Sequence, residues 1–356
     1  MNYIFAQALC AICERSAVSP GRPLRCMAVV NPAAGGFIIK SKWEAHLKIL
    51  NEYRQKAQES PQREIYKNII VNLTDGKDSA SKITKSFINR AEKDPEPFYL
   101  IISAGGDGTH CEVMYSIYNA PAHIRSNMAI LKLPFGTGND GADSPDLAGA
   151  LDLLLNPVHV DFAPAVQLIP SQKGTAAAKG PYLAFNILSV GLDAYVTHQT
   201  NIMKGKSPGD SYKLWVDIAA LLYDKKFKVD VMDVRALDVN NQEIMSFNEK
   251  LLLLAMGAGG NRTYGSQQHI LPDNRNVCGI KQMSLIKKLA LKDKVLKGTH
   301  TGSPDVIILD AHRLEFTNKY PILAQMDGET VLLQPEDFPA VMEITAPVIP
   351  LLKFNK

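Results

Sequence analysis

Apolar and polar positions change their rhythm partway along the chain. In the first part, short apolar runs at Cys26–Asn31, Asn68–Leu73, Phe98–Ser103 and Met128–Leu133 alternate with segments of helical spacing. Trp43, Leu47, Leu50 and Tyr53 recur at three- or four-residue intervals within Trp43–Ala57. Ser79–Ala91, the stretch from Thr109 to about Tyr118, and Leu147–Leu155 read as helices too. Such alternation predicts a parallel sheet with helices on both faces. After Asn156-Pro157 the texture changes. Val158–Ile169, Tyr182–Ser189, Phe227–Leu237, Lys250–Met256, Gln282–Lys287, Asp305–Leu309, Arg313–Phe316, Ile322–Met326 and Met342–Ala346 read as strands. Only Ser211–Leu222 reads as a helix there, so this part predicts a mainly antiparallel β domain.

The predicted fold is therefore α/β plus all-β. An α/β domain with a parallel sheet is expected over residues 27–157, and an antiparallel β-sandwich over 158–340. Residues 341–356 form a C-terminal strand and tail that can return to the first domain. Residues 1–26 read as an extension of uncertain order. Ile4–Cys13 is apolar enough for part of a signal peptide, but no Lys or Arg precedes it.

Composition narrows the classes. The chain has 356 residues, 46% hydrophobic and 21% charged, ordinary for a soluble protein with substantial cores. No apolar run approaches the roughly 18 residues of a membrane-spanning helix. Lys plus Arg is 39 and Asp plus Glu 36, too balanced for wholesale nucleic-acid binding. The five cysteines, Cys10, Cys13, Cys26, Cys111 and Cys278, are odd in number, which fits a reducing cytoplasm better than a disulfide framework. Cys10-x-x-Cys13 has no second pair to complete a zinc site.

Chemistry concentrates at the turns that follow the first strands. Phe98–Ser103 leads into Gly105-Gly106-Asp107-Gly108 and then a helix from Thr109. Glycines let a backbone approach a ligand closely, and a helix N-terminus favours an anion. Thr109 and Glu112 have the spacing of a capping box. Asp107 would repel a bare phosphate and makes sense where Mg²⁺ bridges it to the phosphates. Comparable turns are Asn31-Pro32-Ala33-Ala34-Gly35-Gly36, Thr74-Asp75-Gly76 and Pro134-Phe135-Gly136-Thr137-Gly138-Asn139-Asp140. Turns at the carboxyl ends of parallel strands form the crevice where α/β sheets bind ligands. No Walker motif is present, and no G-x-G-x-x-G follows the first strand, which argues against a dinucleotide oxidoreductase.

Three of these motifs together, Asn31-Pro-x-x-Gly35, Gly105-Gly-Asp-Gly-Thr109 and Pro134-x-Gly-Thr-x-Asn-Asp140, resemble the diacylglycerol kinase catalytic-domain family. That family includes bacterial diacylglycerol kinases and sphingosine and ceramide kinases, and it shares Gly-Gly-Asp-Gly with NAD kinases. The resemblance runs from about Cys26 to the C-terminus through Ser189–Ala194, Gly209–Tyr212, Lys297–His300 and Asp327-Gly-Glu329. It implies an ATP- and Mg²⁺-dependent kinase with a nucleotide domain and a lipid-holding β-sandwich. It implies nucleotide contacts at Asn31, Pro32, Gly35, Thr74, Gly105, Gly106, Asp107, Gly108, Thr109, Gly136, Thr137, Asn139 and Asp140, with Asp107 on the metal. It also implies that Asp327-Gly-Glu329 carries the general base. From the residues alone, Asp327 and Glu329, two apart in an extended segment, would share a face; Asp-Gly is equally a strong hairpin turn.

Other polar residues are weaker candidates. Asp193 could line the same site or cap a helix, while His110, His198 and His300 lack metal-ligand spacing. Tyr212 and Trp215 read as core. The chain departs from its relatives at Tyr264–Gln267, where they often carry Gly-Gly-Gly, and at Val277–Gly279, where Asp-Asp-Gly is common. Cys278 in place of a hard oxygen ligand argues against an accessory Mg²⁺.

Lys281–His300 carries six lysines against one aspartate, interleaved with Leu285, Ile286, Leu289, Leu291, Val295 and Leu296. Together with Arg15, Arg22 and Arg25 against Glu14, it leaves the rest of the chain mildly acidic. Such a strip suits a membrane surface; it also fits a solvated strand and loop with core-facing leucines. The expected activity is phosphorylation of a hydroxyl on a diacylglycerol-like or sphingoid lipid by a cytoplasmic, peripherally membrane-associated enzyme. The alternatives are a non-catalytic nucleotide- or lipid-binding protein and an NAD kinase-like enzyme acting on a soluble metabolite.

Overall fold

The computed structural model describes residues 2–60, 66–136, 146–204, 223, 226–264 and 268–355. They divide into two units, Met1–Ala163 with Pro347–Lys356, and Pro164–Ala346.

The first unit is built on strands β1 (Leu24–Val30), β2 (Tyr66–Leu73), β3 (Phe98–Gly105), β4 (Met128–Pro134) and β5 (Val158–Ala163), with the C-terminal strand Ile349–Phe354. Their order is β2-β1-β3-β4, then the C-terminal strand, then β5. Every pair is parallel except the last, where β5 runs antiparallel to the C-terminal strand. All eight residues of β3 are buried, because helices cover both faces. Helices α1 (Asn2–Cys13), α3 (Lys40–Gln58) and α7 (Leu147–Leu155) pack over Cys26, Ala28, Leu100, Ile102 and Leu131. Helices α4 (Ser79–Lys93) and α5 (Asp107–Tyr118) lie on the other face. The short helices α2 (Gly35–Ile38) and α6 (Ala122–Arg125) complete the unit.

The N-terminal segment is no loose extension. Phe5, Ala8, Leu9, Ile12 and Cys13 are all buried, at the spacing that puts one face of α1 into the core. Phe5 meets Phe37 and Phe135 edge-on, each at 5.3 Å between ring centres, and those two rings stack at 4.2 Å. A hydrogen bond with Cys26 and burial hold the Cys13 thiol well above the usual thiol range. Cys10-x-x-Cys13 is thus part of a packed helix, and no group of three or more His, Cys, Asp or Glu able to hold a metal occurs among the described residues.

The second unit contains β6 (Val166–Ile169), β7 (Tyr182–Ala184), β8 (Ile187–Gly191), β9 (Val231–Leu237), β10 (Glu243–Gly257), β11 (Arg262–Tyr264) and β12 (Gln268–Leu271). It continues through β13 (Val277–Lys281), β14 (Val306–Leu309), β15 (Arg313–Thr317), β16 (Ile322–Met326), β17 (Glu329–Leu333) and β18 (Ala340–Ile344). The pairing is antiparallel throughout, in the order β17-β16-β8-β10-β9-β15-β18-β6-β7, with β13 and β14 branching from β10 and β11 pairing with β12. Strand β10 is 15 residues long and serves two layers. Its first half pairs with β9, and its second half with β8 and β13. Val166, Leu168, Leu188, Val190, Val234, Leu254, Phe316 and Met326 share the core between them. Helices α8 (Leu192–Lys204) and α9 (Leu285–Leu296) are added to the sheets.

Three expectations are corrected. Val158–Ile169 is two strands, not one: Val158–Ala163 edges the first sheet, and the chain crosses to the second unit at Pro164. The expected boundary at residue 158 therefore falls after Ala163, and of the tail Val341–Ile344 stays in β18 while Ile349–Phe354 returns. The strand expected at Gln282–Lys287 gives way to α9. The helix expected at Ser211–Leu222, with Tyr212 and Trp215, lies outside the described residues.

Candidate active site

In the first unit, the turns after β1, β3 and β4 are tied into one framework. The Asn31 backbone N–H donates to the Ala104 carbonyl at 2.9 Å, and Gly36 N–H donates to the Phe135 carbonyl at 2.7 Å. The Asn31 side chain donates through Nδ2 to Thr109 Oγ1 (3.2 Å) and accepts through Oδ1 from Ala33 N–H (3.0 Å). Thr109 is buried against Gly105, where any Cβ would lie 2.6 Å from Thr109 Oγ1. That position needs glycine for packing. Gly108 differs, because no atom of the described residues lies within 4 Å of a Cβ built there. Packing among the described residues does not require glycine at 108; close approach by a ligand would.

Helix α5 starts at Asp107 with Gly106 as its N-cap and no side-chain cap. Its first amide groups have no partner within the helix and form an anion-favouring end, with the half-buried Asp107 beside them. Thr74 follows β2, its N–H donating to the Val30 carbonyl at 2.8 Å. Pro32 and Gly35 lie in the first turn, and Gly136 faces Gly106, where a Cβ would come 3.3 Å from the Gly136 Cα. Thr137, Asn139 and Asp140 lie outside the described residues.

The expected Thr109–Glu112 capping box does not form. Because α5 begins two residues earlier, Glu112 reaches across to α4 and accepts from Asp78 N–H (3.2 Å) and Ser81 N–H (3.1 Å). Asp78 is the α4 N-cap, so one carboxylate satisfies two amides at that helix start. Glu112→Ala is expected to cost about 1–2 kcal/mol in a urea titration, with little change in nucleotide binding. His110 is buried and bonded through Nδ1 to Ser103 Oγ at 2.8 Å, a packing role.

His46 sits beneath the same turns, its ring 4.5 Å from that of Phe135. Burial lowers its pKa from 6.5, Lys42 lowers it further, and a Gly36 backbone hydrogen bond opposes them. The folded chain then binds fewer protons than the unfolded chain, so His46 erodes stability as pH falls below about 6.5. The melting temperature of wild type should therefore drop more steeply between neutral pH and pH 5 than that of His46→Gln.

In the second unit, Asp327 and Gly328 form the two-residue turn between β16 and β17, with φ of 48° and 104°. Positive φ at both positions is what an Asp-Gly hairpin provides. Asp327 and Glu329 do not share an extended face, contrary to expectation, because the turn separates them. The Asp327 carboxylate is held by three successive amides: Phe185 N–H donates to Oδ2 (2.5 Å), Ile187 N–H to Oδ1 (3.0 Å), and Asn186 N–H is shared between the two oxygens. This accounts for the break between β7 and β8, where a single strand over Tyr182–Ser189 was expected: amides there turn to the carboxylate. Glu329 is exposed at the start of β17.

Sequence reasoning missed the buried polar layer behind this turn. Gln325 donates through Nε2 to Ser189 Oγ (2.9 Å) and accepts through Oε1 from Gly328 N–H (3.2 Å). Ser189 donates to Asp193 Oδ2 at 2.5 Å, so Asp193 joins this layer at the start of α8. Asn201 on α8 donates to the Gly328 carbonyl at 2.6 Å, and His198 bonds Thr330 Oγ1 at 3.1 Å. The i, i+4 spacing of Ser189 and Asp193 was the one available signal. His300 is fully buried, bonded through Nε2 to the Ile270 carbonyl (3.1 Å), and burial lowers its pKa. Cys278 is buried among apolar residues of β13 and its neighbours, and burial pushes its thiol up to about 12. A protonated core thiol is no ligand for a hard cation. Gly265–Gln267 lie outside the described residues.

Residues 25–158 match the family model described as the diacylglycerol kinase catalytic domain. A protein of Yersinia pestis (strain Pestoides F) named "Probable lipid kinase YegS-like" is 26% identical over 232 residues, 64% of this chain and 71% of that one. The Yersinia pseudotuberculosis protein of the same name (serotype O:1b, strain IP 31758) matches to the same extent. A crystal structure of a diacylglycerol kinase from Bacillus anthracis (strain Sterne) has a similar fold, with a TM-score of 0.58 and 15% identity, covering 95% of this chain and 98% of that one.

Proposed function

We propose that this protein, whose residues 25–158 match the diacylglycerol kinase catalytic domain, is a kinase with an alcohol as acceptor that transfers the γ-phosphate of ATP to a hydroxyl of a diacylglycerol-like or sphingoid lipid at a membrane surface. The observation that carries the reading is the Asn31–Thr109 tie, which joins the turns after β1 and β3 at the N-terminus of α5. Amides there receive the nucleotide phosphates, with Asn31, Pro32, Gly35, Thr74, Gly105, Gly106, Gly108, Thr109 and Gly136 shaping the surface. Thr137, Asn139 and Asp140 extend the same role.

Mg²⁺ takes one or two carboxylates and otherwise phosphate oxygens and water. One aspartate beside a glycine turn suits that demand: Asp107 would hold the ion, which neutralises phosphate charge when bound. The lipid hydroxyl oxygen attacks the γ-phosphorus as the bond to the ADP oxygen breaks, and the hydroxyl proton passes to a carboxylate. Asp327 and Glu329 divide that last task. Amides already occupy both Asp327 oxygens, so Asp327 positions the turn and Glu329 takes the proton.

The test is transfer of labelled γ-phosphate from ATP into extractable lipid, using a panel of diacylglycerols and sphingoid bases in mixed micelles. A phosphorylated lipid supports the proposal. A phosphorylated NAD product, or ATP binding with no transfer to any lipid, would overturn it.

A further inference from the structure

Helix α9, Leu285–Leu296, faces two environments at once. Leu291 and Val295, one turn apart, are buried with Ile270, Leu271 and Cys278. On the far side Ile286 is 81% exposed, Leu289 57%, Leu296 51% and Leu285 48%. At about 100° per residue these four fall within an arc of roughly 100° turned away from Leu291 and Val295. Isolated exposed leucines are ordinary, whereas several large apolar side chains gathered on one helix face are not. No other helix among the described residues exposes three within five positions.

Charge is arranged around that stripe. Lys292 borders the stripe on one side with Lys288 behind it, while Lys294 and Lys287 project from the other flank, farther round towards the buried side. Asp293 lies within the outward arc, and Lys297 pairs with it at 2.8 Å. Lys287 also meets Asp305 at 3.3 Å. The helix thus presents an apolar strip between two basic rows.

We infer that α9 is an interfacial anchor, lying in the plane of an anionic bilayer with Leu285, Ile286 and Leu289 among the acyl chains and its lysines at the headgroups. Both basic rows oppose an anionic surface favourably, and long lysine stems allow the apolar side chains to enter while the ammonium groups stay at the interface. Two copies packed symmetrically through this face would bring lysine rows together, which disfavours a dimer as the occupant. This inference rests on the lipid-kinase reading for its purpose, but not for its test.

The experiment is co-sedimentation of the full chain with vesicles of phosphatidylcholine alone or with about a third phosphatidylglycerol. Wild type should partition at least about tenfold better onto the anionic vesicles, and added salt should weaken the binding. The double variant Ile286→Asp, Leu289→Asp should lose at least about tenfold of that binding, and Lys287→Glu, Lys288→Glu, Lys292→Glu, Lys294→Glu should lose the anionic preference. Far-ultraviolet circular dichroism and melting temperature check that each variant is folded. Vesicle binding unchanged by either set would overturn the inference, as would a solution dimer that the aspartate variant dissociates. Kinase activity in mixed micelles is scored separately: loss of wild-type binding with lipid phosphorylation intact sinks the anchor alone, and binding without phosphorylation sinks only the kinase reading.

Discussion

Asp107→Ala is expected to lower lipid phosphorylation by about a thousandfold or more, some 4 kcal/mol of transition-state stabilisation, while the protein stays folded. The residue is the first of α5, beside amides that have no partner within the helix. As a surface-side carboxylate at a helix start, its contribution to stability is about 0.3–1 kcal/mol. As the carboxylate that would hold Mg²⁺ among the phosphates, its contribution to the reaction is far larger. The two effects separate experimentally. Melting temperature should move by only a few degrees while turnover collapses, and Asp107→Asn, nearly equal in shape, should fail almost as badly. Retention of activity within tenfold of wild type in both variants would sink the assignment of Asp107. A large loss of stability would instead make it a structural residue.

What the sequence disclosed was mainly local. The buried run Phe98–Gly105 ending in a glycine turn, followed by a helix, needs only neighbouring residues to be read, and β3 and α5 lie where that pattern places them. The partners of those motifs were less visible. Nothing near Glu112 indicates that it serves the start of α4, 31 and 34 residues upstream. Likewise Asp327 finds its amides at residues 185–187, about 140 positions away. Long-range polar pairing leaves little trace in local periodicity.

The other misses have different causes. Helix α1 was legible in principle, since Phe5, Ala8, Leu9 and Ile12 carry one-face spacing. Its likeness to the apolar part of a signal peptide masks that spacing. Helix α9 was obscured because its apolar residues point two ways, Leu291 and Val295 inward and Ile286 and Leu289 outward. A pattern apolar on opposite faces has no clean helical period. At Val158–Ile169, apolar residues continue across Ala163-Pro164 although the two strands belong to different sheets. Hydrophobic pattern alone does not reveal a change of partner.

The turn at Asp327-Gly328-Glu329 yields the second large effect, and it depends on telling a positioning carboxylate from a proton acceptor. Glu329→Gln is expected to lower kcat by about a hundredfold to a thousandfold with melting temperature unchanged, because the side chain is exposed. Asp327→Ala should reduce activity as severely for another reason. It removes the acceptor for Phe185, Asn186 and Ile187 N–H and leaves alanine at a φ of 48°. Unpaired amides and a left-handed alanine together cost about 2–4 kcal/mol. Asp327→Asn tolerates that φ better yet presents an amide NH₂ towards N–H donors, so it should recover only part of the stability. Activity across the Asp327 variants should then follow the integrity of the turn, whereas activity at Glu329 should fall with the turn intact. If Asp327→Asn melts like wild type but is inactive, while Glu329→Gln turns over normally, the roles are reversed and Asp327 is the base. Proton acceptance would then require one Asp327 oxygen to give up an amide bond during the reaction, a change that hydrogen exchange at Phe185–Ile187 would register.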